Sequence, residues 1–317
     1  MGPAVGVRRT AGSRAAAPDA LLRRLDWHVL RRLDGRLQGA HRSAFRGSGI
    51  DVHDLREYEP GDDVRHIDWN VTARLDTPFV REFHEDREIT AWLLLDRSPS
   101  MLFGPPSRPK HVVLAQLAVS LGRLLGRAGN RVGAIIFDNT VETVLPPTTG
   151  PQQVLRLARE LSSTPGGRGT ATDLRVLLDA ADAMIRRRSL VVLVSDLISE
   201  PAWEPSLGRL ARRHDVVAVR LIDPLELALP DAGLLTFEDP ETGERLVLDT
   251  SDPDLRRRLA DEVDRRERAL QAAVARTGVQ LVDISTAEDP VDGLLRLVRA
   301  RRLARAGLGR AGGAGRR

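Results

Sequence analysis

Ala91-Trp92-Leu93-Leu94-Leu95-Asp96-Arg97-Ser98-Pro99-Ser100 is an apolar run that ends in one carboxylate and two hydroxyls. Five consecutive apolar residues bounded by a turn signal read as a strand buried on both faces. Asp96, Ser98 and Ser100 then share one tight loop at its carboxyl end. In open α/β sheets that edge is where ligands bind. Two later stretches repeat the arrangement. Gly169-Thr170-Ala171-Thr172-Asp173 opens a helical pattern, and Leu190-Val191-Val192-Leu193-Val194 runs into Ser195-Asp196. Three loops at strand ends or helix starts therefore carry oxygen donors.

Outward from this stretch the chain alternates short apolar runs with longer amphipathic ones. Strand patterns fall at 91–95, 132–137, 141–145, 190–195, 216–221 and 279–284, and helical patterns near 109–127, 151–163, 173–187, 204–213, 253–276 and 290–303. Pro109, Pro151, Pro253 and Pro290 suit first helical turns, and Gly278 suits a helix stop. The alternation predicts an α/β fold: a doubly wound, mostly parallel, Rossmann-like sheet covered on both faces. The turn before Val141 is too short for a crossover, so that strand is expected to be antiparallel. Leu234 to Leu248, with Asp239-Pro240-Glu241-Thr242-Gly243 at its centre, reads as a β-hairpin inserted at about 233–249. It serves either as a decorative loop or as a docking ribbon. No internal repeat is present.

Hard divalent cations such as Mg²⁺ take oxygen donors in near-octahedral array and usually keep several waters. Ser98 and Ser100 are placed to bind one directly, and Asp96, Thr172 and Asp196 to bind directly or to hold its waters. An ion with both aspartates in the outer shell keeps most of its charge and one free position, which would attract a partner's carboxylate. The competing reading has Asp96 and Ser98 merely satisfying loop and helix-start N–H groups.

The run Asp96-Arg97-Ser98-Pro99-Ser100-Met101, then a threonine loop, then a strand ending in aspartate resembles the metal-ion-dependent adhesion site (MIDAS) of von Willebrand factor type A domains. The stretch from Gly47 to Arg74, with Arg56-Glu57-Tyr58-Glu59-Pro60-Gly61-Asp62 and Ile67-Asp68-Trp69, is similar to the signature of a bacterial family known as domain of unknown function 58 (DUF58). The similarity covers residues 40 to about 300. It implies a type A-like domain over 90–303 and metal ligands at Asp96, Ser98, Ser100, Thr172 and Asp196, with Mg²⁺ or Mn²⁺ as the ion. Two departures stand out. Leu197 follows Asp196 where type A domains commonly have glycine, and Thr170 competes with Thr172. Thr172 is preferred, because Thr172-Asp173-Leu174 followed by Leu177-Leu178 matches the spacing from loop into helix.

Length and composition bound the remaining classes. The 317 residues, 42% of them hydrophobic, bury a sizeable core, and with only 3% aromatics it must be built from Leu, Val, Ile and Ala. The absence of cysteine excludes disulfides, thiol catalysis and thiolate metal sites. Lys110 is the only lysine among 48 basic residues, which with abundant Ala and Gly points to a GC-rich genome more than to a function. The net charge of +4 is unevenly spread. Residues 1–36 carry +5 and residues 299–317 carry +7, which leaves −8 for residues 37–298. The body is acidic, so no nucleic-acid partner is expected, and residues 1–20 and 304–317 read as disordered ends. No apolar run reaches the roughly 18 residues of a membrane span, and no signal peptide is evident, so a cytoplasmic location is expected.

Ahead of the alternating region, Leu22, Leu25, Val29, Leu33 and Leu37 mark a first helix that Gly39 ends. Residues 40–89 follow as an irregular, charge-dense segment, which with that helix makes a unit over 21–89. It is either a structural collar or a docking surface whose Arg56, Arg65 and Arg74 receive an acidic partner or a nucleotide phosphate. His41, His53, His66 and His84 lie in or near it without metal-ligand spacing. No phosphate loop, nucleophile elbow or dinucleotide fingerprint occurs, so no enzyme is expected. The leading expectation is a protein-binding adapter that grips an acidic client through the metal. The resemblance implies a MoxR-type AAA+ ATPase as partner in client assembly or remodelling. Two alternatives are a Mg²⁺-assisted hydrolase with Asp196 or Asp173 as base, and a structural scaffold with a vestigial metal site.

Overall fold

The computed structural model describes residues 50–59, 62–75, 77–85, 89–105, 107–127, 129–163, 172–238 and 245–312, without side chains for 50–56, 66, 81–85 and 302–312. Its centre is a six-stranded sheet of β3 (Thr90–Asp96), β4 (Arg131–Asp138), β5 (Thr140–Thr148), β6 (Leu190–Ser195), β7 (Asp215–Ile222) and β10 (Gln280–Ser285), in the order β10-β7-β6-β3-β4-β5. All neighbours are parallel except β4 and β5. This is the doubly wound, mostly parallel sheet with one antiparallel strand expected of a von Willebrand type A-like fold. From β3 the chain moves outward to β4 and β5, then returns to β6 on the other side of β3 and moves outward again. The switch point lies between β3 and β6.

Alternation along β3 divides the core into two layers. Ala91, Leu93 and Leu95 pack with residues of α2 (Lys110–Arg127), α3 (Pro151–Glu160) and α8 (Pro290–Gly312). Trp92 and Leu94 pack with α4 (Leu174–Met184), α5 (Glu204–Arg213) and α7 (Pro253–Thr277). Pro151, Pro253 and Pro290 each take the first position of their helix, and Gly278 closes α7 with φ +71°. Among the described residues no helix is long and apolar enough to cross a membrane.

Three elements depart from expectation. The segment 40–89 is not irregular throughout: β1 (Ile50–Glu57) pairs antiparallel with β2 (Phe79–Glu85), and α1 (Trp69–Leu75) lies between them. A register shift between Val52 and Asp54 breaks the period-two pattern that would have marked β1. The last helix continues to Gly312, past the expected end at 303, because Ala, Leu and Arg are strong helix formers that offset Gly307 and Gly309. The short α6 (Pro224–Leu227) follows β7, started by a reciprocal pairing of Asp223 with Glu226. The expected hairpin is present as β8 (Leu234–Glu238) and β9 (Arg245–Asp249). The proposed helix at 21–39, residues 1–20, His41 and Thr170 lie outside the described residues.

Gly133 shows how tightly the antiparallel edge sits. A Cβ there would come within 3.0 Å of the Leu145 carbonyl oxygen and the Trp92 ring, and 3.1 Å of the Pro147 nitrogen. The backbone of β5 has no room to retreat without breaking its ladder. Gly133→Ala is expected to lower unfolding stability by about 1–3 kcal/mol, measured by urea denaturation. An unchanged midpoint would mean that β5 yields to the added methyl at no cost.

Candidate functional site

Leu95 pairs with Val194, so Asp96 at the end of β3 stands beside Ser195 at the end of β6, with Asp196 next in the chain. Asp96 is wholly buried. Its Oδ1 accepts the Ser98 N–H at 2.9 Å and its Oδ2 accepts the Ser195 hydroxyl at 2.6 Å. The loop then tightens into a 3-10 turn at Pro99–Leu102, which buries Ser98 and Ser100 with their hydroxyl oxygens 3.2 Å apart. Arg97 turns away. Its guanidinium binds the carbonyls of Glu160 and Ser163 at the end of α3, where a cation suits the helix dipole.

The loop after β6 closes the other side. Asp196 Oδ1 accepts the Ile198 N–H at 3.0 Å, and Oδ2 accepts the Lys110 ammonium at 2.6 Å. Thr172 is buried, and its carbonyl accepts the Glu200 N–H at 2.8 Å. The Leu174 N–H donates to Ser199 Oγ at 2.9 Å. These two bonds fasten the loop before α4 to the loop that carries Asp196.

Charge is out of balance here. Burial pushes the Asp96 carboxyl up to about 6, and the charge of Asp196 adds to the rise against the opposing bonds from Ser195 and Ser98. Burial also works against the Lys110 ammonium, but Asp196 and Glu226 outweigh it and raise its pKa above the ordinary lysine value. Lys110 pairs with Asp196 and Glu226, and Asp96, which feels the charge of Asp196, adds a third carboxylate to the cluster. With Asp96 ionised the cluster carries a net charge of −2.

That set fits a hard divalent cation. The 3.2 Å between the two hydroxyl oxygens matches the edge of about 3 Å expected between neighbouring ligands held at about 2.1 Å from Mg²⁺. A divalent ion also balances the surplus. Among the described residues no cluster of three or more His, Cys, Asp or Glu side chains could hold a metal, so a site here has to be a mixed hydroxyl–carboxylate one.

The other sequence candidates are not drawn in. Asp173 caps α4, and its carboxylate is held by Arg175, whose hydrogen bond lowers its pKa. Arg65 chelates its neighbour Asp63 on the surface, and Arg74 is exposed at the end of α1. The side chains of Arg56, His53, His66 and His84 lie outside the described residues. Three residues escaped the sequence reading: Ser195, Lys110 and Glu226. The singularity of Lys110 was the visible signal, and it marks a buried position in the site rather than codon bias alone.

Leu197 resolves one departure. It holds φ +59°, the left-handed conformation for which glycine is the usual residue, while its side chain is buried in the second core layer. Beside it opens a groove of about 500 Å³ between the loop after β6, α6, the hairpin and α7, lined by Asp196, Leu197, Leu225, Leu227, Phe237 and Leu248 among others. Leu225 and Leu227 are about 40% exposed at its rim.

The family model described as protein of unknown function DUF58 matches residues 54–270. Uncharacterized proteins of Mycobacterium tuberculosis and Mycobacterium bovis are each 37% identical over 289 residues, 89% of this chain and 89% of theirs. Among solved structures, an aerotolerance-related membrane protein from Bacteroides fragilis is 16% identical, covering 67% of this chain and 98% of that one with a TM-score of 0.45. A von Willebrand factor type A protein from Catenulispora acidiphila is 12% identical, covering 69% and 43%, with a TM-score of 0.36.

Two outcomes follow from the geometry. Asp96 has a higher pKa folded than unfolded, so between about pH 4 and 6 the folded chain holds a proton that the unfolded chain has lost. Stability contributed by that proton disappears as pH rises through this window, on the order of 2–3 kcal/mol. Asp96→Asn is therefore expected to stabilise the protein in chelator at pH 7.5 by about 1–2 kcal/mol, with the gain shrinking at pH 5. Denaturation at the two pH values measures it, and a pH-independent loss would count against it. Leu197→Gly is expected to destabilise by about 1–3 kcal/mol, because the buried side chain lost outweighs the backbone strain relieved. The urea midpoint of this variant reads the balance.

Proposed function

Since the chain belongs to the family described as protein of unknown function DUF58, we propose that it is a protein-binding adapter with a metal-ion-dependent adhesion site. The observation that carries this reading is the buried cluster at the switch point, where Asp96, Ser98, Ser100 and Asp196 leave a surplus of two negative charges at the ligand-binding edge. Asp96, Ser98, Ser100, Thr172 and Asp196 would hold Mg²⁺ or Mn²⁺. A bound ion supplies positive charge and an open position for a partner carboxylate.

The chain's own residues do the rest. Ser195 and the Ser98 N–H fix the Asp96 oxygens, and Lys110 and the Ile198 N–H fix those of Asp196, so the outer ring is set before any ion arrives. The ligand of the proposed site is an acidic side chain of a client protein. The neighbouring groove offers space for apolar residues flanking that acid. The proposal extends, through the family resemblance, to a MoxR-type AAA+ ATPase that would use the adapter to assemble or remodel clients.

A hydrolase is less well supported. It requires a base within hydrogen-bond reach of an activated water. Asp173 is held by Arg175 and Asp196 by Lys110, so each carboxylate is already engaged by a cation.

Calorimetric titration with Mg²⁺ and Mn²⁺ tests the reading. Wild type is expected to show one saturable site, weakened by at least about 10–100-fold in Asp96→Ala and Ser98→Ala variants that remain folded. Equal binding in those variants, or capture of an acidic client that survives chelator, would point instead to a scaffold with a vestigial site.

A further inference from the structure

Lys110 is the only lysine of the chain; each of the other 47 residues in the Lys/Arg count of 48 is arginine. It opens α2, is 0% exposed, and sets its ammonium 2.6 Å from Asp196 Oδ2 and 2.6 Å from Glu226 Oε1, 5.8 Å from the centre of the Phe103 ring. Stability alone does not account for such a group. Buried ion pairs are often no better than the apolar residues that could replace them, because desolvation offsets the attraction. The ammonium is a compact point charge, and here it stands between two carboxylates.

The arrangement has a direction. Glu226 is fixed from behind, since its Oε2 accepts the Asp223 N–H at 3.0 Å within the start of α6. Lys110 is therefore anchored on the groove wall and draws on Asp196 from that side. With Ile198 on its other oxygen, Asp196 has a protein donor at each oxygen. Asp96 is also held at each oxygen, by the Ser98 N–H and the Ser195 hydroxyl, but these donors are neutral and the charge of Asp196 works against it.

We propose that Lys110 is the positioning residue of the metal site: it holds Asp196 back from direct ligation, which keeps a bound cation short of one protein ligand and open to a partner's carboxylate. The inference rests on the metal-site reading above. Removing the ammonium should release Asp196 toward the ion, tightening metal binding while closing the open position. A residue with a merely structural role would do the reverse, since its loss weakens the site.

The test uses the full chain as wild type, Lys110→Met and the double variant Lys110→Met/Glu226→Gln. The double variant restores the cluster's net charge to that of wild type while still freeing Asp196, and it guards against a single variant that fails to fold. Mg²⁺ affinity is read by calorimetry, and the number of waters on Mn²⁺ by water-proton relaxation. Both variants are expected to bind Mg²⁺ roughly tenfold or more tighter than wild type, and to lose about one Mn²⁺-bound water. Folded variants with unchanged or weaker affinity overturn the role of Lys110 alone. So does a double variant that returns to wild-type affinity and water count, because net charge would then explain the effect. Metal binding in the variants but not in wild type would support the proposal. No binding in any of the three removes the metal-site reading, and the proposal with it.

Discussion

Asp96 and Asp196 are brought together by backbone pairing before any side chain chooses a rotamer. The parallel register of Leu95 with Val194 puts the ends of β3 and β6 side by side, and each strand ends in, or is followed by, a carboxylate. Two such charges out of water repel, and the structure around them is arranged to hold them nonetheless. Backbone N–H groups of Ser98 and Ile198, the Ser195 hydroxyl and the Lys110 ammonium are aimed at the four oxygens. Even so the carboxyl of Asp96 stays well above the ordinary range. A charge kept at a cost in an otherwise apolar core is what makes this strand edge the candidate site.

The constraint propagates outward through particular contacts. Arg97 anchors the loop after β3 to the carbonyl end of α3, so the hydroxyls of Ser98 and Ser100 keep their close spacing. Leu197 accepts a left-handed backbone so that the chain can turn immediately after Asp196 and still place an apolar side chain in the core. Through Glu226, Lys110 ties the site to α6 and thus to the wall of the groove. The oxygens at the strand ends and the wall of the groove are thus joined through one buried ion-pair cluster.

The segment before the sheet has a different character. Along the chain α1 lies between the paired strands β1 and β2; Val64 before it and Trp69 and Leu75 within it are largely exposed, and Arg65 pairs with Asp63. Exposed surface ion pairs of that kind contribute little to stability. Strand pairing, with its bulge, organises the described backbone of this segment.

Periodicity by itself determined the six sheet strands, the order of strands and helices, and the antiparallel β5, because a strand buried on both faces has no polar alternative and a three-residue turn cannot carry a crossover. The oxygen-bearing loops after β3 and β6 and before α4 were visible as local pattern, and the resemblance to type A domains picked Asp96, Ser98, Ser100, Thr172 and Asp196 out of them. β1 and β2 were hidden by a bulge that shifts the alternation. Ser195, Lys110 and Glu226 were hidden for another reason. Lys110 lies 86 residues from Asp196 and 116 from Glu226, and no local rule connects them. Only the folded sheet, by bringing β3, β6 and the end of β7 to one edge, decides that the chain's single lysine stands between two acids.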